Sequence, residues 1–207
     1  MTVPETTRDG ASTARPDTRN GKPRVVVLCG NPRPRSRTLA AAETFASALV
    51  ARLRGDTTLD GSSHAWGNDA VAVVDVAKLG GAVIEGSPDV DAALATVRDA
   101  PVLVVATPVY KASYTGLLKA FLDRLAGGAL AGVVAIPFTV AGSPIHRLVA
   151  DVHLRPLLVE LGASVPTRAF TIEEPDLDNL ASVIDRWLED NVRLVRDLVS
   201  SSVPLKG

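Results

Sequence analysis

Short apolar runs alternate with stretches of helical spacing along most of the chain. "RVVVLCG" (24–30) is β-branched, bounded by Pro23 and Gly30, and apolar at successive positions. That is the pattern of a strand buried on both faces. Leu39, Ala42, Ala46, Leu49, Val50 and Leu53 then recur at helical spacing until Gly55. "AVAVVDV" (70–76) reads as a second strand, and Val90, Ala93, Leu94 and Val97 mark a second helix. "PVLVVATP" (101–108) reads as a third strand, closed by Pro108. Leu117, Leu118, Phe121, Leu122 and Leu125 form a helical face that ends at Gly127 and Gly128. "GVVAIPFTV" (132–140) is the fourth strand. Pro137 belongs near its end or at a distortion, because proline donates nothing to a ladder. Ile145, Leu148, Val149 and Val152 start a helix that Pro156 should kink or divide. "ASVPTRAF" (163–170) reads as a fifth strand, and Leu177, Leu180, Ile184, Trp187, Leu188 and Val195 line a long last helix with Trp187 in its core.

Strands alternating with helices imply an α/β fold, with parallel pairing, right-handed crossovers and helices on both faces of the sheet. In such sheets ligands bind beyond the carboxyl ends of the strands, where the strand order reverses. The residues just after strands one, three and four are therefore the place to look for chemistry.

Composition narrows the options. Hydrophobic residues make up 46% of 207 and charged residues 22%, as in a globular domain with a real core. A net charge of −1 supplies no basic field for nucleic acid, and 4% aromatics supply little for base stacking. Residues 1–22 are polar and rich in Thr, Pro, Gly and Asp, and are expected to be a disordered tail ahead of one domain spanning 23–207. The tail lacks the apolar core of a secretory signal, and Glu5, Asp9 and Asp17 count against a mitochondrial one. No stretch reaches the roughly 18 apolar residues of a membrane span. Cys29 is the one cysteine, so no internal disulfide forms. That fits a reducing, cytoplasmic setting, with Cys29 a small core residue. His64, His146 and His153 show no metal-ligand spacing, and no metal is expected. His64 and Trp66, in the polar loop 55–69, read as loop packing.

Three loops carry candidate chemistry. "NPRPRSRT" (31–38) puts Arg33, Arg35 and Arg37 within five positions at the start of a helix, whose free N–H groups are already partly positive. It is neither a P-loop nor a GxGxxG fingerprint. Hydroxyls at Ser36 and Thr38, free N–H groups and guanidinium groups together suit a phosphate dianion. The plainer alternative is a solvated basic loop with Ser36 or Thr38 as an N-cap. "TPVYKASYTG" (107–116) offers Tyr110 and Lys111 to a flat ring and its polar edge, and Tyr114 to stack or donate. Its alternative is a tyrosine anchoring a crossover. In "TVAGSP" (139–144), Gly142 and Ser143 let a backbone approach a ligand closely.

"GNPRPRSRT" followed by "ATPVYKASYTGLLKAFLDRL" resembles the NAD(P)H-dependent FMN reductases of the flavodoxin-like superfamily, and among them the reductase partners of two-component flavin monooxygenases such as the alkanesulfonate system. The likeness covers roughly 24–170 and continues through "HRLVADVHLRPLL" (146–158), where His146, Asp151 and Pro156 are of the types that subgroup tends to have. It implies a flavodoxin-like three-layer sandwich around a five-stranded parallel sheet of order 2-1-3-4-5. It implies that Arg33, Ser36, Arg37 and Thr38 take the FMN phosphate, with Asn31 where a serine is common. Pro108, Val109, Tyr110 and Lys111 would flank the flavin ring and ribityl chain, and Ala141, Gly142 and Ser143 the ring edge. "VAG" there departs from the family's more frequent glycine pair. Tyr114 resembles a tyrosine that sits at a subunit contact near the flavin, which favours flavin as an exchanging substrate.

The implied reaction is hydride transfer from NADPH or NADH to flavin N5, with the cofactors carrying the chemistry and no catalytic side chain. Reduced FMN would then pass to a partner monooxygenase. A homodimer or homotetramer built partly on the "LLKAFLDRL" helix is implied as well. Three other readings stay open: a reductase of quinones, azo dyes or chromate with bound FMN; a flavodoxin-type electron carrier, which the near-neutral charge and basic loop fit poorly; and a non-catalytic phosphate-sensing domain.

Overall fold

A computed structural model describes residues 25–55 and 70–201. The expected tail, His64 and Trp66 lie outside the described residues. Five strands, β1 (Val25–Cys29), β2 (Val71–Asp75), β3 (Val102–Pro108), β4 (Val134–Ala141) and β5 (Phe170–Glu173), form one parallel sheet in the order β2-β1-β3-β4-β5. This is the flavodoxin-like order, whose reversal lies between β1 and β3.

Alternate residues of each strand point to opposite faces, so the sheet feeds two cores. On one face, α1 (Arg37–Gly55) and α6 (Leu180–Ser201) pack on the sheet around Phe45, Phe138, Phe170 and Trp187. Phe138 and Phe170 stack at 4.6 Å, and Phe45 meets Trp187 edge-on at 5.0 Å. On the other face lie α3 (Pro88–Arg98), α4 (Gly116–Leu122) and α5 (Arg155–Glu160), after a one-turn α2 (Ala82–Glu85). The result is a three-layer sandwich. No helix of the described residues is long and apolar enough to cross a membrane.

Three expectations need correction. Pro137 is not terminal: it sits within β4, opposite Val105 on the β3 side. Ala135 donates to Ser164 on the β5 side, and alternation turns the nitrogen of Pro137 the same way. The β4–β5 ladder begins only at Phe138, so the missing N–H falls in a gap that holds no acceptor strand. The fifth strand is Phe170–Glu173, not 163–170. Before it, Ser164 alone bridges to Val134. Arg155 donates to the carbonyls of Val165 and Thr167, both at 2.7 Å, and so takes acceptors a ladder would need.

The third correction concerns Ile145, Leu148 and Val152, whose spacing suggested a buried face. They are exposed, Ile145 at 81%, and the chain buries Val149, Ala150, Leu154 and Leu158 instead. The segment runs as a 3-10 turn (Pro144–His146) and a π turn (Ala150–Leu154) before α5. Neither turn keeps 3.6 residues per turn, so an α-helical period misassigns the faces. Pro156 does divide the segment, standing in the first turn of α5. Leu118, Phe121, Leu122 and Leu125 are buried in this chain's own core, and Leu117 and Ala120 are half-buried against it.

Candidate functional site

The turn from β1 to α1 is held from within. Asn31, buried, donates from Nδ2 to Thr38 Oγ1 at 3.2 Å and accepts the N–H of Arg33 at 2.9 Å. One side chain thus fixes both limbs of the turn. Ser36 caps α1, its Oγ accepting from Leu39 N at 3.1 Å. The N–H groups of Arg37 and Thr38 have no acceptor within the helix. The first turn of α1 contains no acid, so its partial positive charge is not offset locally. Thr38 is buried, whereas Arg33, Arg35 and Arg37 are exposed. Arg37 Nη2 lies 3.1 Å from Glu174 Oε1.

The turn from β3 to α4 is tied to the first. Gly30 donates to Ala106 O at 2.8 Å. A Cβ on Gly30 would lie 2.3 Å from Leu118 Cβ, so only glycine lets α4 approach so closely. Thr115, buried, caps α4 by accepting from Leu118 N at 3.1 Å, and its hydroxyl donates to Gly30 O. Thr107 Oγ1 accepts from Thr115 N at 3.2 Å. Val109 donates to Val140 O at 3.0 Å, which joins this turn to the end of β4. Tyr110 and Ser113 exchange backbone bonds at 2.9 and 3.0 Å around Lys111 and Ala112, whose φ values are 51° and 59°. Two central residues at positive φ make a turn of the I′ kind, which usually takes Asn-Gly.

At the end of β4, Ala141 is buried, Gly142 is exposed, and Ser143 is half-buried. A Cβ on Gly142 would meet nothing within 4 Å, so space lies open above it. Arg147, just beyond, pairs with Glu173, Nε to Oε1 at 2.7 Å.

All three turns leave the carboxyl edge of neighbouring strands, as the pairings Cys29–Ala106 and Pro108–Val140 show. Among the candidate residues, Asn31, Thr38, Pro108 and Ala141 are buried. Arg33, Arg37, Tyr110, Lys111 and Gly142 stand exposed, with Ser36, Val109, Tyr114 and Ser143 between. Sequence reasoning missed Gly30, Thr107, Thr115 and Glu174. Thr115 was findable as a Thr three residues before Leu118, at the head of an apolar helical run. Glu174 carries no local signal.

Cys29 lies beneath this surface, its Sγ 4.0 Å from Ser36 Oγ. It is fully buried, and burial pushes its thiol up to about 11. It remains a thiol and not a nucleophilic thiolate at neutral pH. Among the described residues, no three His, Cys, Asp or Glu side chains stand together as a metal site.

The donor set fits FMN. Two uncommitted N–H groups at an acid-free helix start, with guanidinium groups around them, suit a phosphate dianion. The open space at Gly142 and the exposed Tyr110 leave room for a flat ring. The family model described as NADPH-dependent FMN reductase matches residues 23–175. The chain belongs to the NADPH-dependent FMN reductase family. It is 35% identical over 142 residues to "FMN reductase (NADPH)" of Escherichia coli (strain K12), covering 68% of each chain. It is also 35% identical over 137 residues to "NADH-dependent FMN reductase SfnF" of Pseudomonas fluorescens (strain Pf0-1), covering 65% of this chain and 67% of that one. The apo crystal structure of an NADH:FMN oxidoreductase (EMOB) superposes with a TM-score of 0.63 at 33% identity, over 80% of this chain and 88% of that one. The FMN reductase family thus coincides with the resemblance that the two loop motifs carry.

Proposed function

We propose that this NAD(P)H-dependent FMN reductase binds FMN as an exchanging substrate and delivers reduced FMN to a partner flavin-dependent monooxygenase. In this reading Arg33, Ser36, Arg37 and the N–H groups of Arg37 and Thr38 hold the phosphate, and Asn31 keeps the turn in shape. The backbone of Pro108, Val109, Tyr110 and Lys111 flanks the ring, with half-buried Tyr114 following them in the chain. Ala141, Gly142 and Ser143 border the ring edge and leave a face open to the nicotinamide. When bound, FMN supplies the electron-poor ring that takes up hydride from NADPH or NADH. The chain's task is to hold two flat rings at about 3–3.5 Å and to place backbone donors where negative charge builds up.

The observation that carries the reading is the exposure of the cations around the site, Arg33, Arg37 and Lys111. Charge-assisted bonds made in water are weaker than buried ones, which suits a ligand that must leave reduced. Assembly as a homodimer or homotetramer forms part of the same proposal, and light scattering of the purified protein checks it.

The deciding experiment records the visible spectrum before and after dialysis, then follows anaerobic NAD(P)H oxidation with and without added FMN. Flavin should be lost on dialysis, and turnover should depend on added FMN. Oxidation of the product by an added flavin-dependent monooxygenase with its substrate should follow. Retained flavin, with quinone-driven turnover indifferent to added FMN, would instead mark a reductase with resident FMN.

A further inference from the structure

The carboxyl end of β5 carries two consecutive glutamates that serve two arginines. Glu173, 14% exposed at its side chain, pairs with Arg147. Glu174, next in the chain and followed by Pro175, reaches across to Arg37 at the start of α1. Since α1 has no acid in its own first turn, Glu174 brings an anion from another element to the place where its positive end and its arginines gather.

A guanidinium fork donates to a carboxylate or a phosphate in the same two-point geometry, and the dianion is the stronger partner. The Arg37 and Glu174 side chains are 69% and 49% exposed. Such a pair is weak enough to open and strong enough to compete. We infer that Glu174 is a built-in rival of the FMN phosphate: it occupies Arg37 in the flavin-free protein and is displaced when the phosphate arrives. This rests on the phosphate reading of the β1–α1 turn. Its consequence is that FMN affinity stays below what the arginine turn alone would give, which favours release of the flavin after reduction.

Flavin fluorescence quenching, with FMN and with riboflavin, tests it on the purified flavin-free protein. Glu174→Gln keeps the shape and removes the charge. It should lower Kd for FMN about two- to fivefold, the scale of an exposed ion pair, and leave riboflavin unchanged. Arg37→Ala alone should raise Kd for FMN. In the Arg37→Ala background, Glu174→Gln should change Kd less than about 1.5-fold, because the rivalry acts through Arg37. An unchanged or higher Kd for FMN in Glu174→Gln overturns the inference. So does equal tightening of riboflavin, or a full effect that persists without Arg37. If Arg33→Ala and Arg37→Ala both leave FMN binding untouched, the phosphate reading itself fails, and the inference falls with it whatever Glu174→Gln does.

Discussion

The hydroxyl of Thr115 donates to the carbonyl of Gly30 while accepting the N–H of Leu118. One buried side chain thereby caps α4 and locks the β3–α4 turn to the end of β1. Thr115→Val keeps the volume but loses both bonds. It removes a helix cap worth about 1 kcal/mol and leaves the buried Gly30 carbonyl short of a donor, at about 1–3 kcal/mol. A loss of about 2–4 kcal/mol is expected, with Tm falling by roughly 5–15 °C. Thr115→Ser keeps both bonds and should lose less than about 1 kcal/mol. Thermal melts of the two variants check this. A loss in Thr115→Ser as large as or larger than that in Thr115→Val would mean that the hydroxyl is not what chiefly holds the turn.

Gly30 is glycine because of close approach, not because of its dihedral angles. The clash met by Gly30→Ala is with Leu118 Cβ at 2.3 Å, which belongs to no flexible side-chain end. Helix α4 or strand β1 must shift, at about 2–3 kcal/mol or more, and the turn next to Asn31 shifts with it. Urea unfolding should show the loss, and FMN titration should show weaker binding. Adding Leu118→Ala should not rescue the variant, since alanine retains the offending Cβ.

Much of this arrangement is visible in the sequence wherever periodicity is regular. Strand β1 is an unbroken apolar run, β3 and β4 are apolar but for Thr107 and Thr139, and α1 and α6 keep an α-helical period. The arginine turn is legible because Arg33, Arg35 and Arg37 crowd a helix start. What periodicity cannot show is a side chain reaching across the fold. Arg155 takes the carbonyls of Val165 and Thr167 and so turns an apparent strand into a loop. Glu174 meets Arg37 only because β5 ends beside α1. Ile145 and Leu148 misled because 3-10 and π turns have their own periods. The Lys111–Ala112 turn was hidden because neither residue is of a type that favours positive φ.

Arg33 separates a phosphate turn from a merely solvated basic loop. Its N–H is bound to Asn31 Oδ1, which leaves the exposed guanidinium free to move toward a ligand. Arg33→Ala should remove a charge-assisted bond of about 1.5–3 kcal/mol, raising KM for FMN roughly ten- to a hundredfold. The lower end is the expectation, given the exposure. KM for NAD(P)H should stay within about twofold, and riboflavin binding should not change. Steady-state kinetics with FMN and riboflavin as alternative acceptors provide the check. A parallel loss with riboflavin would place Arg33 away from the phosphate.

Cys29 links stability to alkaline pH. Burial pushes its thiol up to about 11 in the folded chain, while an unfolded thiol titrates near 9. Below about pH 9 both states hold the proton and the contribution is fully present. Between about 9 and 11 the unfolded state releases it first, so stability falls as pH rises. The loss reaches about 2–3 kcal/mol at two pH units of separation. Urea unfolding at pH 8 and pH 10.5 should therefore show Cys29→Ala losing less stability than the parent protein over that range. The same burial predicts no alkylation of native protein by iodoacetamide at pH 8, with rapid labelling in urea. Prompt labelling without urea would mean that the end of β1 opens readily.

Lys111 and Ala112 are held at φ 51° and 59°, where a side chain costs about 1–2 kcal/mol relative to glycine. Strain of this kind persists when the surroundings enforce it, here the paired backbone bonds of Tyr110 and Ser113. Ala112→Gly removes the strain with no change in charge or contacts, so the folded state should gain about 1 kcal/mol and Tm should rise by roughly 2–4 °C. The same change frees the turn that presents Tyr110 and Lys111. If the turn is pre-organised for the flavin ring, KM for FMN should rise in this more stable variant. Ala112→Pro works in the opposite direction: it forces φ to about −65° and breaks the Tyr110–Ser113 pair, lowering Tm and FMN binding together. Tm and KM moving up together in Ala112→Gly and apart in Ala112→Pro would separate strain used for positioning from strain that is incidental to the fold.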